Sequence, residues 1–396
     1  MRRWIGPGVL VAVGYMDPGN WATGIEAGSG FGYALLWVIF FSSAAAILLQ
    51  VAAARLGLFS GQDLVGLGYT LMGSRLGGFL ALTALLAVMA TDLAEVLGFA
   101  LALHLLVGLP LEVGAIFALI ETVIVLYWTA KRPRLLEGLV GLLTLGIVGI
   151  FVYELILLKP PLGEVMRGFV PSARVLKNPE ALYLALGLIG ATIMPHNLYL
   201  HSAWVKGRFY GTLPEQARLT ARDTAWSLSI AFFVNGALLL TAAALKATHT
   251  PDARWGIQEA HRLFEPSVGK AAALAFAVAL LLAGHNATLT STLTGQLILE
   301  YLLPSRLSAF WRGLLLRSVS LLPALLALLI WGSEHLSDML VLSQVFLSLQ
   351  LPFVLIPMLY FLSRIRAASF GRIGHTLVWL ISLTIVTLNI FLLFEV

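Results

Sequence analysis

Apolar residues follow one another along this chain in long blocks, each about the 20 residues that a helix needs to cross a bilayer. Eleven such blocks can be marked, over residues 4–29, 33–55, 76–104, 111–129, 135–157, 180–205, 223–245, 271–301, 309–332, 336–362 and 374–394. Turn formers and charges separate them: Gly73-Ser74-Arg75, Gly108-Leu109-Pro110, Lys131-Arg132-Pro133-Arg134 and Gly371-Arg372. The block at 76–104 carries Asp92 and Glu95, yet the apolar run continues on both sides of them. Arg2-Arg3 ahead of an apolar run could open a leader peptide, but no small-residue cleavage site follows, so a retained first span is expected. No long polar tail or low-complexity linker interrupts the pattern, and one domain, 1–396, is expected.

Composition sharpens this picture. Of 396 residues, 59% are apolar and 11% charged, and the mean hydropathy is +0.91. A soluble domain has roughly 45–50% apolar and about 25% charged residues. A soluble enzyme, a disordered chain and a nucleic-acid binder are excluded; an all-α integral membrane protein, with the lipid bilayer as its partner, is expected. The formal charge of +5 reads as basic cytoplasmic loops. With the amino terminus inside, 16 Lys and Arg fall on the cytoplasmic side and 8 outside, those 8 all in the two longest loops, where the positive-inside rule is weakest. The carboxyl terminus is then external. The absence of cysteine removes disulfides, thiolate metal sites, iron–sulfur clusters and thiol catalysis. Trp4, Trp37, Trp128, Tyr301 and Trp331, near span ends, read as interfacial anchors.

Two blocks are interrupted. The first contains Gly14-Tyr15-Met16-Asp17-Pro18-Gly19-Asn20 and the sixth Gly190-Ala191-Thr192-Ile193-Met194-Pro195-His196-Asn197. Pro cannot donate to a helix ladder and Gly is the next weakest helix former, so both helices should break at mid-membrane. Asp17 at that depth is costly unless compensated. Both motifs share the frame x-Pro-x-Asn, 177 residues apart (194 − 17), close to half of the first ten blocks. Interrupted segments at matching places in two halves point to a transporter's binding site. Five spans per half, an odd number, make the second half inverted, with the eleventh block as an addition.

If the breaks face each other, a ligand meets the Asp17 carboxylate, the Asn20 amide oxygen, the Met194 thioether and freed carbonyls such as those of Gly14 and Ala191. Such a set suits a cation. Oxygen donors alone would suit Na⁺, Mg²⁺ or Ca²⁺; a thioether is a poor ligand for those hard ions and is tolerated by divalent transition metals. Met194 therefore argues for Mn²⁺ or Fe²⁺, although a buried Met is also a common gap-filler. Thr91-Asp92-Leu93-Ala94-Glu95 places two acids at i and i+3 on one helix face, a polar track suited to protons, with Arg317 as its natural partner. His196 can titrate in the working range. His201, turned away from it by about 140° on an ideal helix, can extend a route toward the cytoplasm. Asp92 with Arg317 can equally be a structural ion pair, and either His can simply bond a carbonyl. Gln50 and Gln344 either gate a pore or form interhelical hydrogen bonds. Glu121 has no evident partner, Glu26 and Glu154 are expected to be solvated, and Gly284-His285-Asn286-Ala287 is either a packing or a lining segment.

Asp17-Pro18-Gly19-Asn20 and Met194-Pro195-His196-Asn197 resemble the signature motifs of the Nramp family of proton-coupled divalent transition-metal importers. The resemblance runs on through Thr91–Glu95, the basic loop after the fourth span, and Ser343-Gln344-Val345-Phe346-Leu347-Ser348-Leu349-Gln350-Leu351-Pro352, over essentially the whole chain. It implies a LeuT-like fold: two inverted five-helix repeats, about 1–157 and 180–362, plus an extra helix at about 374–394, in a bacterial-type plasma (inner) membrane. It also implies that Asp17, Asn20, Met194 and the Ala191 carbonyl, with Gly14 beside them, hold the metal. Asp17, Asp92, Glu95 and Arg317 would then move protons, with His196 and His201 along the inner route and Gln50 and Gln344 gating. Relatives without the methionine carry alkaline-earth ions, so Met194 points to the manganese and iron branch. Metal and proton would be cargo, with no cofactor, nucleic acid or obligate protein partner. This chain departs from the pattern with Gly14 where relatives often have Ala, with Gly284–Ala287 in place of a small-polar run with Gln, and with one Arg in the ninth span. The competing readings are a sodium-coupled amino-acid symporter of the same fold and, remotely, an intramembrane hydrolase pairing Asp92 or Glu95 with His196.

Overall fold

The computed structural model describes residues 6–131, 133–172, 175, 177–249, 254–303 and 307–395. Arg2, Arg3, Trp4, Arg132, Arg174 and Arg306 fall outside them, as do the side chains of Trp128 and Arg134. The helices are α1 (Pro7–Gly14), α2 (Pro18–Phe31), α3 (Leu36–Ser60), α4 (Leu64–Val107), α5 (Leu111–Lys131), α6 (Pro133–Leu158) and α7 (Leu162–Gly168). They continue with α8 (Pro179–Ile193), α9 (Pro195–Trp204), α10 (Leu213–His249), α11 (Ile257–Val268), α12 (Lys270–Leu302), α13 (Ala309–Trp331), α14 (Leu336–Arg364) and α15 (Gly371–Glu395). Among the described residues, nine segments are long and apolar enough to cross a membrane, with α8 and α9 taken together as one.

The expected breaks are present. Asp17 separates α1 from α2 and Met194 separates α8 from α9, each followed by a proline in the first turn of the next helix. Proline is tolerated there because that N–H has no intrahelical partner. The marked turn at Gly73 is also real, but the chain does not leave the helix for long. Gly73 takes φ 85°, ψ 167°, and a further helical stretch from Leu64 leads into it, so α4 begins well before residue 76. The two long loops hold the short helices α7 and α11, which hydropathy did not signal because neither is a continuous apolar run.

Helix starts that must lie inside the bundle are capped by acids or amides. Asp63 at the head of α4 accepts the Gly66 N–H at 2.9 Å and the Tyr301 hydroxyl at 2.8 Å. Asp223 of α10 reaches the first turn of α1 and accepts the Gly8 N–H at 2.6 Å. One apolar core joins residues from nearly every long helix. Large apolar side chains that face outward, such as Ile120, Ile124, Leu329, Ile330 and Leu380, form the surface expected toward lipid.

Two expectations about burial are corrected. Glu26 and Glu154 are not solvated; they are 3% and 0% exposed. Nearness to a span end gives depth along the bundle but not which face a residue takes. The Glu26 face of α2 meets Arg254, and Glu154 lies on an inward face of α6.

Helix α4 passes beside the first break, where Gly98 lies against Pro18 and a Cβ at position 98 would overlap the proline ring. Gly98→Val is expected to destabilise the protein by about 1–3 kcal/mol through overpacking, seen as a lower unfolding midpoint in detergent. An unchanged midpoint would show that α4 does not rest on the break.

Candidate functional site

The two breaks do face each other. Asp17 caps α2: its Oδ1 accepts the Asn20 backbone N–H at 2.8 Å and the Asn20 side-chain amide at 2.8 Å. The same Asn20 Nδ2 donates to the Ala191 carbonyl at 3.0 Å, joining the first break to the end of α8. At the second break Met194 has φ 35°, a left-handed conformation unusual for a side chain of its size and a sign of strain held by its surroundings. Asn197 Nδ2 donates to the Met194 sulfur at 3.4 Å, and the Asn197 side chain also lies against Gly14, where a Cβ would collide with it and with Thr290. Glycine at 14 lets these side-chain tips come this close; a methyl there would make them shift. Asp17, Asn20, Ala191, Met194 and His196 are all 3% exposed or less.

Most carbonyls freed by the breaks find donors, as an apolar medium demands. Asn235 of α10 donates to the Tyr15 carbonyl at 3.0 Å, and the Tyr15 hydroxyl donates to the Ile193 carbonyl at 3.3 Å. Asp17 Oδ2 is different: it is buried and has no hydrogen-bond partner among the described residues. A carboxylate oxygen left so is costly unless a cation serves it.

The Nramp family model (Natural resistance-associated macrophage protein-like) matches residues 8–395. The chain belongs to the Nramp family. It is 44% identical to the "Divalent metal cation transporter MntH" of Xylella fastidiosa, over 99% of this chain and 85% of that protein. Among solved structures it is similar to a variant of the manganese transporter of Eremococcus coleocola, 34% identical with a TM-score of 0.83, covering 97% of this chain and 84% of the other. MhsT, solved in complex with L-phenylalanine, is 16% identical with a TM-score of 0.68, over 98% of this chain and 100% of its own, and shares the LeuT-like fold alone. The family is one of transporters, not enzymes.

In this Nramp chain the acidic track is joined to Arg317 as its spacing suggested. Arg317 Nη1 lies 2.9 Å from Asp92 Oδ1 and 2.8 Å from Glu95 Oε2, with all three side chains buried. Both carboxylates are thus committed to Arg317. His196 does not pair with either; its Nδ1 meets the Thr91 hydroxyl at 3.1 Å. That hydroxyl also lies 3.1 Å from the Ala87 carbonyl, and His196 Nε2 is buried with no hydrogen-bond partner among the described residues. The pairing of His196 with Asp92 or Glu95 on which the hydrolase reading turned is therefore not formed.

Gln50 and His201 join the breaks by another route. His201 Nδ1 donates to Gln50 Oε1 at 2.9 Å, and Gln50 Nε2 donates to the Tyr15 hydroxyl at 2.7 Å. A chain of oriented hydrogen bonds thus runs from α9 through α3 to the first break and on to Ile193. Gln344 of α14 sits where a Cβ of Gly19 would be, and its own backbone carbonyl lies against Gly190, so it touches both broken segments. At one end of the bundle Arg254 reaches Glu180 at 2.8 Å, Glu26 at 3.5 Å and Asp338 at 3.9 Å, tying α2, α8 and α14 together.

Sequence reasoning missed the hydroxyls of α12. Thr288 accepts from Arg317 Nη2 at 3.2 Å, Ser291 donates to Glu95 Oε2 at 2.8 Å, and Thr290 lies against Gly14. The run Thr288-Leu289-Thr290-Ser291-Thr292 carried the signal, but hydroxyls are cheap in membrane helices, where they can bond their own backbone. It also gave Glu121 no partner; His285 Nδ1 lies 2.7 Å from its Oε1.

Gln50→Leu leaves the Tyr15 hydroxyl and His201 Nδ1 short of a buried partner. The expected cost is about 1–3 kcal/mol, measured as a lowered unfolding midpoint. A midpoint equal to the parent's would show that this chain of bonds contributes nothing to the closed bundle.

Proposed function

We propose that this chain imports divalent transition-metal ions, Mn²⁺ and Fe²⁺ foremost, together with protons, by alternating access. The observation that carries the reading is the buried Asp17 carboxylate, one oxygen held by Asn20 and the other without a protein partner among the described residues. The remaining donors at that junction are the Ala191 carbonyl, the Asn20 amide and, linked through Asn197, Gly14 and the Met194 thioether. Asn20 turns its nitrogen toward Asp17 and Ala191, where a cation would stand; rotation of the amide by half a turn presents its oxygen instead. A cargo site must release its ion. Consistent with this, no group of three or more His, Cys, Asp or Glu suited to a metal occurs among the described residues. One carboxylate with neutral donors attracts a dication without trapping it, and the soft sulfur disfavours Ca²⁺ and Mg²⁺.

On this reading Asp17 also receives the proton. His196, with a free ring nitrogen beside the break, passes it toward Glu95, Asp92 and Arg317. His201 and Gln50 belong to the closure on one side of the site, Gln344 to its occlusion, and the halves rock about them. Eleven spans are proposed, in two inverted repeats (about 1–157 and 180–362) plus the helix at 374–394, within a single domain. The amino terminus would be cytoplasmic and the carboxyl terminus external, in a bacterial plasma membrane. The names of the relatives, a divalent metal cation transporter and a manganese transporter, support the metal. The LeuT-like fold alone does not separate metal transport from sodium-coupled amino-acid symport; Asp17 and Met194 at the breaks favour the metal.

The test is Mn²⁺ uptake into sealed proteoliposomes under an inward proton gradient, with excess Ca²⁺ as competitor, for the parent and Met194→Ala. Parent uptake should resist Ca²⁺, and the variant should become at least about tenfold more sensitive to it, a change of about 1.4 kcal/mol in relative affinity. Folded parent protein that takes up no Mn²⁺ would overturn the proposal and bring amino-acid symport forward.

A further inference from the structure

Between α9 and α10 the chain hooks back on itself. Gly207 and Gly211 take φ 67° and 112°, values that glycine reaches without strain. A cavity of about 710 Å³ lies between this hook and the first turns of α10, bordered by Arg208, Phe209 and Tyr210 from the hook and by Glu215, Arg218 and Arg222 from the helix. Arg208 stands over the Trp204 ring at 5.1 Å, which holds its guanidinium against the end of α9. Two acids lie close by, and both are turned elsewhere. Glu215 Oε2 accepts the Thr212 N–H at 2.8 Å and the Thr212 hydroxyl at 3.0 Å. Asp223 accepts the Gly8 N–H of α1 at 2.6 Å. Neither Arg218 nor Arg222 forms an ion pair among the described residues.

The same face of α10 continues toward the bilayer. Arg218, Arg222, Trp226, Ser229 and Phe233 are all exposed, at steps of three and four residues that make one stripe along a helix. Arg222 stands just ahead of the apolar block that begins at residue 223. Trp226, 74% exposed, is about 6 Å further along the axis. Charge thus gives way to an aromatic ring and then to apolar surface, the order of headgroup, interface and acyl chain in a bilayer.

We propose that Arg208, Arg218 and Arg222 form a seat for the phosphate of an anionic phospholipid, whose acyl chains run along Trp226 and Phe233. Guanidinium groups present planar, paired donors that match phosphate oxygens. A zwitterionic lipid brings its own cation, which three arginines repel. A soluble phosphate would answer the charge but make no use of the lipid-facing part of the stripe. The seat requires only that α10 cross the bilayer, whatever the cargo. Its place bears on both interruptions. Arg208 follows α9, the half-helix that leaves the second break, while Asp223, next to Arg222, holds the first turn of α1, the half-helix that enters the first. A headgroup clasped by all three arginines ties these segments to one lipid.

The test is titration of the purified full chain in detergent with phosphatidylglycerol or phosphatidylcholine, bound lipid being counted by native mass spectrometry. It compares the parent, the pair Arg218→Gln with Arg222→Gln, and a second pair of equal charge change, Arg366→Gln with Arg372→Gln. These arginines are exposed, so all three proteins should keep one unfolding midpoint. The parent should prefer phosphatidylglycerol, the first pair should lose about tenfold or more of that preference, and the second pair should keep it. Equal binding of the two lipids by the parent would overturn the proposal, and so would equal loss in both pairs, which would make the attraction one of diffuse charge. Displacement of phosphatidylglycerol by inorganic phosphate, beyond that by chloride at equal ionic strength, would assign the seat to a soluble phosphate and overturn the lipid.

Discussion

A carboxylate buried where two helices break is the constraint around which this bundle is arranged. Asp17 ends one interruption as the cap of α2 and uses Oδ1 for that duty, holding both amide groups of Asn20. Its other oxygen is left to whatever enters the junction. Burying a charge in an apolar medium is tolerable only if hydrogen bonds and a countercharge answer it. The protein supplies the hydrogen bonds and leaves the countercharge to the cargo. The strained backbone at Met194 and the glycine at 14 follow from the same demand, since both let side chains from the second break close upon the first.

Helix α4 connects this junction to the charged network. Gly98 rests on Pro18, Thr91 holds His196, and Asp92 and Glu95 engage Arg317, all within a few turns of one helix. A shift of either broken segment must therefore be felt by α4, and a change of charge on α4 must be felt by the breaks. Coupling between sites needs an element whose arrangement both of them bias; α4 is placed to be that element. The Arg254 cluster and the His201–Gln50–Tyr15 chain are further ties across the broken segments, made of contacts that can be exchanged without disturbing the apolar core.

Much of this was legible beforehand. Proline and glycine inside apolar runs announced the breaks, because their effect on a helix is local and independent of neighbours. Asp92, Glu95 and Arg317 could be paired in advance, since an ion in a membrane span needs a partner and few were on offer. What stayed hidden depended on facing. Glu26 and Glu154 looked solvated by depth and proved buried by orientation. Thr288 and Ser291 looked like ordinary helix hydroxyls and proved to hold Arg317 and Glu95. Glu121 found His285 only because α5 and α12 pack together, which no local pattern encodes.

The sequence by itself determined the membrane class, the places where helices must break and the donor types gathered there, because these follow from side-chain chemistry and the hydrogen-bond needs of a backbone in lipid. Tertiary structure alone decided which atoms of those residues are already engaged. Asn20 points its nitrogen rather than its oxygen at Ala191, His196 turns to Thr91 rather than to an acid, and Gln344 lies against both interruptions. Such assignments depend on the rotation and depth of each helix against its neighbours. Those are set by packing summed over the whole bundle, and no short stretch of sequence contains that sum.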